Sequence, residues 1–540
     1  MKSTGSNFTS ENFYTMNTKL LLLLLVICSP FLSFGLTKQY CLTLRDDPAT
    51  TMVIGWGGDN GTVHYGTTDE GTNYTAYPNS HPSDRTGNAH GHTRHFSRLT
   101  GLTPNTIYYF VIRDDNGVVT DRFKFKTLSD DPNVPLSYIT GGDSRDGFKV
   151  LGIYVEDCPS GNCLDERREG NELVAKIRPD FVAFNGDFVM NQITSNTTNE
   201  WDDWFDDWQL SISQDGRMYP MVHTQGNHED NQDVYNLFDI PQEEYYALSL
   251  HGGLLRLYTL NSELNACTEA NQLNWLLNDL QLHSSGGSTD PVWKFAQYHI
   301  PTYGMANDYG LVPEQMTCWV NLFEQFDVRM VSESHGHCTK WSHPCVANSS
   351  ESDFEVDTEN GIVYIGEGQW GAPHRELDFA GANQKPYIRD QDVFDNFFYI
   401  QVKQDSTIIR CVKFENISNV VASTSDELGK DLPTGITIWS PSNGDRVILT
   451  NESVGLSEQD TEMNPTSVYP IPAENIVNVA FDKHDEGTIE VYDALGKLCV
   501  IENYSGTSKS VDLTPVCSGV SYMYIKSENG SVQVHKIVKR

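Results

Sequence analysis

Five short clusters in the middle of the chain carry side chains that could hold a metal. They are Gly142-Asp143-Ser144-Arg145, Asn185-Gly186-Asp187, Gly226-Asn227-His228-Glu229, Gln297-Tyr298-His299-Ile300-Pro301 and Ser334-His335-Gly336-His337, and each follows a run that reads as a strand. Carboxylates, an amide oxygen and neutral imidazoles suit Fe, Mn, Zn or Mg and require no thiolate. Two such ions about 3.5–4 Å apart need one shared carboxylate; together they make hydroxide available near neutral pH and clamp both oxygens of an in-line displacement at phosphorus. Any one cluster is an ordinary turn sequence. The information lies in the five together and in their order.

The elements around the clusters must be strands alternating with helices. Apolar runs at 136–140, 181–184 and 218–222 alternate with helical stretches at 172–177 and 271–282, which predicts an α/β region from about 131 to 415. Within it Trp201, Trp204, Phe205 and Trp208 fall at i, i+3, i+4 and i+7. That spacing predicts a helix with a core-facing aromatic stripe and an acidic solvent face, with a sugar-stacking platform as the alternative. Upstream, residues 36–130 alternate apolar and polar in short runs split by turn residues, the pattern of a β-sandwich, and Leu102-Thr-Pro-Asn-Thr-Ile-Tyr-Tyr109 reads like a tyrosine corner. The histidines there, His64, His81, His90, His92 and His95, read as solvated or packing residues. Residues 416–463, rich in Ser, Thr, Asn, Asp and Gly, read as a spacer with a few short strands, and strand-and-turn patterning returns over 464–540.

The five clusters, in this order, resemble those of the calcineurin-like metallophosphoesterases, and with the preceding β region the chain is similar to purple acid phosphatases and their bacterial relatives. The resemblance extends to Leu42-Thr-Leu-Arg-Asp-Asp-Pro48, Met52-Val-Ile-Gly-Trp56, Val63-His-Tyr-Gly66 and Phe123-Lys-Phe-Lys-Thr127, and to the closing strands around Gly361-Ile-Val-Tyr-Ile and Asn396-Phe-Phe-Tyr-Ile400. It implies a fibronectin type III-like β-sandwich at 36–130, followed by an α/β metallophosphoesterase core at 131–415 built as a four-layer β-sandwich flanked by helices. By position it implies Asp143 and His337 as ligands of a first metal and Asn227, His299 and His335 as ligands of a second, with Asp187 bridging them. It implies His228 as the group that stabilises the transferring phosphoryl group or assists the leaving oxygen. Arg145 reads as a catalytic and substrate-binding guanidinium or as half of a structural ion pair, and Tyr303 stands where plant members place phosphate-contacting histidines. The implied activity is hydrolysis of phosphate esters, on small molecules or polymers, by a hydroxide bridging two metal ions (Fe, Mn or Zn). A phosphodiesterase or nucleotidase of the same fold, and a non-catalytic surface-binding protein with a degenerate site, are the alternatives. Three departures stand out. Met190 replaces the tyrosine whose bond to ferric iron colours the purple enzymes, so no purple colour is expected. Arg145 replaces a ligand histidine of other members, and Ser334 replaces the glycine before the last two histidines.

Val468-Tyr-Pro-Ile-Pro-Ala473, Ile489-Glu-Val-Tyr-Asp-Ala-Leu-Gly-Lys497 and Lys536-Ile-Val-Lys-Arg540 resemble the C-terminal sorting domain of the type IX secretion system. This implies a small β-sandwich at 464–540 read by the secretion machinery. Residues 1–35, with a possible start at Met16, an apolar run at 20–28 and small residues before Leu36, read as a signal peptide. The run is too short to span a bilayer at about 20 residues per helix, and no transmembrane segment is expected. A secreted or cell-surface protein follows. The 540 residues carry 73 acidic against 37 basic side chains and a net charge of −36, which repels phosphate backbones and excludes a general nucleic-acid binder. Setting Cys28 aside leaves ten cysteines, expected to form disulfides in an oxidising compartment, with Cys158–Cys163, Cys338–Cys345 and Cys499–Cys517 as the expected pairs.

Overall fold

A computed structural model describes residues 36–147, 149–150, 153–154, 163–190, 197–230, 232–287, 290–306, 310–377, 385–451, 466–493, 497–527 and 532–540. The expected signal peptide and the Cys158–Cys163 pair lie outside the described residues. Two compact units, Met1–Glu452 and Ser453–Arg540, divide the chain.

The first unit is organised by two large sheets. Leu136–Gly141, Phe181–Phe184 and Met221–His223 are short and buried throughout, as parallel strands covered on both faces must be. They pair in parallel with Val182 opposite Ile139 and Ala183 opposite Val222. Asn396–Val402, Ser406–Lys413 and Val447–Thr450 extend this sheet on one side, antiparallel. On the other side Lys38–Thr43 joins it in parallel, Thr43 opposite Met221, so that four N-terminal strands complete a continuous sheet of ten. The remaining N-terminal strands, Asn79–Pro82, Gly61–Gly66, Ile107–Asp114 and Phe123–Lys126, form a separate four-stranded sheet. At the start of its inner strand Ile107–Asp114 the Tyr108 hydroxyl accepts the Thr103 N–H at 2.9 Å. The second large sheet has seven strands and contains Leu255–Thr259, Trp293–Gln297, Met330–Glu333 and Val363–Gly366 in parallel. Buried hydroxyls tie it to the first: Ser332 Oγ lies 2.7 Å from Thr140 Oγ1 and 2.7 Å from Asn185 Nδ2.

The aromatic stripe lies on the helix Thr197–Trp208 and all four rings are buried, Trp201, Trp204 and Phe205 against Phe184, Phe188 and Phe238 and Trp208 stacked on Trp204 at 5.6 Å. The opposite face is acidic as expected, except that Asp207 turns inward to Arg167 and Arg168. Residues of the polar stretch after 416 pack on this unit: Trp439 stacks on Trp341 at 4.9 Å, and Asp426 pairs with Lys124, Arg178 and Arg217. Of the N-terminal histidines, His92 and His95 are buried, whereas His90 bonds Asp233 of the core at 2.7 Å.

The second unit is a five-stranded sheet centred on Ile476–Asp493, whose buried face carries Val477, Val479, Ile489 and Val491. Among the described residues no helix is long and apolar enough to cross a membrane.

The cysteine expectations need correction. Cys267 and Cys318 form a disulfide across 51 residues. Cys338, Cys345, Cys499 and Cys517 are free thiols. Cys338 Sγ turns to Glu367 Oε2 at 3.4 Å and Cys345 Sγ to the Ile362 carbonyl at 3.5 Å, so nearness in sequence does not bring these two sulfurs together.

Candidate metal centre

Each cluster sits just past the carboxyl end of a parallel strand: Asp143 after Leu136–Gly141, Asp187 after Phe181–Phe184, Asn227 after Met221–His223, His299 after Trp293–Gln297 and His335 after Met330–Glu333. The chain turns sharply there. Asp143, Asp187, His335 and His337 all have left-handed φ, between 52° and 71°. Non-glycine residues adopt that region at a cost, and such strain clusters where a site over-determines the backbone. The opposing loop comes equally close. A Cβ at Gly368, φ 71°, would fall 1.5 Å from Asp143 Oδ2, so only glycine fits.

The side chains converge in two groups, Asp143, Asp187 and His337 in one and Asp187, His299 and His335 in the other, with the potential ligand atoms of each group within 4.8 Å of one another. Asp187 belongs to both. Asn227 Oδ1 lies 3.0 Å from His299 Nε2, which is also 3.3 Å from Asp187 Oδ1 and 3.2 Å from His335 Nδ1. The ring orientations follow from their far sides. His299 Nδ1 faces the Asn185 carbonyl at 2.8 Å and His337 Nδ1 the Pro373 carbonyl at 2.7 Å. A carbonyl can only accept, so in the neutral rings each Nδ1 carries the proton and each Nε2 presents a lone pair to the site. His337 Nε2 then stands 3.3 Å from Asp143 Oδ1, lone pair to lone pair, and both atoms are buried without a hydrogen-bond partner. A cation between them resolves that conflict, and a hard cation suits the donor set.

The electrostatics agree with a centre built for positive charge. Burial pushes the Asp143 carboxyl up to about 6, with the charge of Asp187 adding to it. Burial opposes the charged form of His299 as well, yet Asp187 drives it up to about 10, a proton standing in where the carboxylates want a cation. His335 is pushed down to about 3 by burial and by His299, and burial together with Arg375 and Arg145 holds His337 well below the usual range.

His228 is beside this centre: its Nε2 is 3.7 Å from Asp187 Oδ2 and its Nδ1 3.2 Å from the Met190 carbonyl. Arg145 is almost wholly buried, with Nη1 donating to the Asp146 carbonyl at 3.0 Å and lying 3.2 Å from Met190 Sδ, so two of the departures noted in the sequence touch one another. The Tyr303 ring meets Tyr387 edge-on at 5.9 Å, with Lys385 Nζ 5.1 Å from its centroid.

Two residues near the site escaped sequence reasoning. Glu229, next to His228, accepts backbone N–H groups from Asp187, Phe188 and Gly226, each at 2.9 Å, and so binds two ligand loops together. Its adjacency to the Asn-His pair was the available signal. Arg375 donates to the His335 carbonyl at 2.5 Å, and nothing local in the sequence marks it.

Comparison with known proteins places these observations. Residues 37–127 match the purple acid phosphatase N-terminal domain, residues 161–339 the calcineurin-like phosphoesterases, and residues 467–540 the secretion system C-terminal sorting domain. Two uncharacterized Mycobacterium tuberculosis proteins are 24% identical over 305 residues, covering 49% of this chain and 54% of theirs, so the chain spans about half the length of the curated relatives it matches. Among solved structures, a purple acid phosphatase from yellow lupin (Lupinus luteus) seeds shares the fold with a TM-score of 0.58 at 14% identity, over 77% of this chain and 74% of that one. PhoD does so with a TM-score of 0.52 at 12% identity, over 77% and 90%. The sorting domain indicates secretion or display at the cell surface. Successive parts of the chain thus match a purple acid phosphatase N-terminal domain, the calcineurin-like phosphoesterases and a secretion system C-terminal sorting domain, on a fold shared with a purple acid phosphatase.

Proposed function

We propose that the chain is an exported phosphoesterase that hydrolyses phosphate esters at a two-cation site. Asp143 and His337 would hold one ion, Asn227, His299 and His335 the other, and Asp187 both. The observation that carries this reading is the pair of ligand groups sharing Asp187. Bound there, two cations supply Lewis-acid polarisation of the phosphoryl oxygens and a hydroxide nucleophile near neutral pH.

The chain's own residues do the rest. The Met190 carbonyl keeps the proton on His228 Nδ1, so Nε2 faces the reacting group. As imidazolium it donates to a phosphoryl or leaving oxygen; as imidazole it accepts a proton. Burial lowers its pKa, and the Asp187 carboxylate opposes that only in part. Arg145 and Arg375 add positive charge beside His337, giving an anionic substrate a local field opposite to that of the acidic surface.

The test uses the full chain. Metal content is measured, then turnover of a chromogenic phosphomonoester and of the matching diester, with and without chelator. Chelator should abolish turnover, Asp187→Asn should reduce bound metal and activity together, and His228→Ala should lower kcat by about 10²–10⁴-fold with metal retained. Turnover that survives Asp187→Asn would refute the site. The ratio of the two substrates assigns monoester or diester preference.

A further inference from the structure

Beneath the site, three buried charges join the loop carrying His299 to the loop carrying His335 and His337. Lys340 Nζ lies 2.9 Å from Glu333 Oε2 and 2.8 Å from Glu367 Oε1, with all three side chains almost fully buried. Glu333 Oε1 accepts the Thr302 N–H at 2.8 Å and the Tyr298 hydroxyl at 3.1 Å. Glu367 accepts the Met305 N–H at 2.9 and 3.0 Å, and Lys340 itself donates to the Tyr303 carbonyl at 2.5 Å. The segment on either side of His299 is thus gripped at four places. On the other side, Glu333 lies two residues before His335, and the Glu367 carbonyl accepts the His337 N–H at 2.8 Å. Gly336 packs so tightly on Glu367 that a Cβ there would fall 2.0 Å from Oε2.

We propose that Lys340, with Glu333 and Glu367, is a positioning centre that sets the spacing of His299 from His335 and His337, and through it the cation affinity of both halves of the site. The inference rests on the two-cation reading. Two carboxylates buried against a single ammonium tolerate its loss poorly, because the uncompensated pair repels in a low-dielectric interior. Each carboxylate is bonded to the His299 segment and adjoins the His335–His337 loop, so their separation would move the imidazoles apart. Lys340 touches no reacting atom and acts only through these ligands.

The test titrates full-length protein, stripped of metal, with cobalt(II), following affinity and the visible absorption bands that report coordination geometry; circular dichroism checks folding. Lys340→Met should weaken cobalt binding by about 10–100-fold, the range of outer-shell substitutions, and shift the bands. Adding Glu367→Gln to Lys340→Met removes one of the repelling charges and should recover part of the affinity, which a packing role alone would not do. A folded Lys340→Met that binds cobalt with the affinity and bands of the natural protein overturns the inference, as does a double variant no tighter than the single. If Lys340→Met does not fold, Glu333→Gln replaces it: a loss of about tenfold supports the inference and unchanged binding overturns it. Natural protein that binds no cobalt overturns the two-cation reading and this inference with it, whereas natural protein that binds and turns over while Lys340→Met binds equally well overturns this inference alone.

Discussion

Glu229→Ala isolates what holds the ligand loops in place. Its two carboxylate oxygens accept the backbone N–H groups of Asp187, Phe188 and Gly226, each at 2.9 Å, in a region where Glu229 itself is 2% exposed. Alanine leaves three buried donors without acceptors. At about 1–3 kcal/mol for each unsatisfied buried group the loss is about 3–9 kcal/mol, and relaxation or an admitted water places the outcome at the lower end, about 3 kcal/mol. Glu229→Gln should cost less. An amide oxygen in the place of Oε2 still accepts from Asp187 and Gly226, while its NH₂ faces the Phe188 N–H, so one donor is lost and the cost is about 1–3 kcal/mol. The readout is favourable, because all ten tryptophans precede residue 453 and tryptophan fluorescence reports denaturant unfolding of the first unit only. Metal content of the folded variants should fall in the same order. A Glu229→Ala protein that unfolds within about 1 kcal/mol of the natural chain would refute the argument that this carboxylate fastens the two loops.

Two further outcomes follow from the fold. The Cys267–Cys318 bridge closes 51 residues, a loop whose entropy corresponds to about 4 kcal/mol, so replacing both by serine should destabilise the first unit by about 2–4 kcal/mol under oxidising conditions; a double variant as stable to denaturant as the natural chain would contradict this. His223 is fully buried, stacks on Phe238 at 4.1 Å, and burial pushes it down to about 3 from 6.5. Between those values the unfolded chain binds more protons than the folded one, so stability is present above 6.5 and lost as pH falls. Going from pH 7 to pH 5 should cost about 2 kcal/mol through this ring, and His223→Phe should flatten that slope in denaturant titrations.

The clusters that converge were legible because they depend on short-range rules. Buried apolar runs end, Gly, Asn and Asp turn the chain, and a potential ligand follows, as at Phe184-Asn185-Gly186-Asp187. The aromatic stripe at 201–208 was legible for the same reason, being the period of one helix. What was not legible depends on pairings across long separations. Nothing near Thr43 announces Met221 as its neighbour, and the Cys267–Cys318 spacing carries no signature. Arg375 and Lys340 act on the site through the His335 loop and Glu367, and their own neighbourhoods read as ordinary strand and loop. Asp426 illustrates the limit of composition: the polar stretch around it reads as a spacer, yet its carboxylate meets Lys124, Arg178 and Arg217, three cations from elsewhere in the unit.

That last contrast bears on the site. A carboxylate taken out of water needs compensation, and at three other places in this acidic chain cationic side chains supply it. Asp239 is faced by Arg45, Arg85 and Arg98, Asp426 by Lys124, Arg178 and Arg217, and Asp207 by Arg167 and Arg168. Asp143 and Asp187 are buried as deeply, and apart from one backbone N–H each, from His335 and His228, the side chains turned toward them are imidazoles. The nitrogen of His337 that meets Asp143 has no proton to give while its other nitrogen serves the Pro373 carbonyl. Metal-free protein must therefore protonate Asp143 or one of these rings, and cation binding must release protons. The number released on adding zinc(II) at pH 7, read in weakly buffered solution, should be at least one per chain, and zinc binding without proton release would contradict this account of the site.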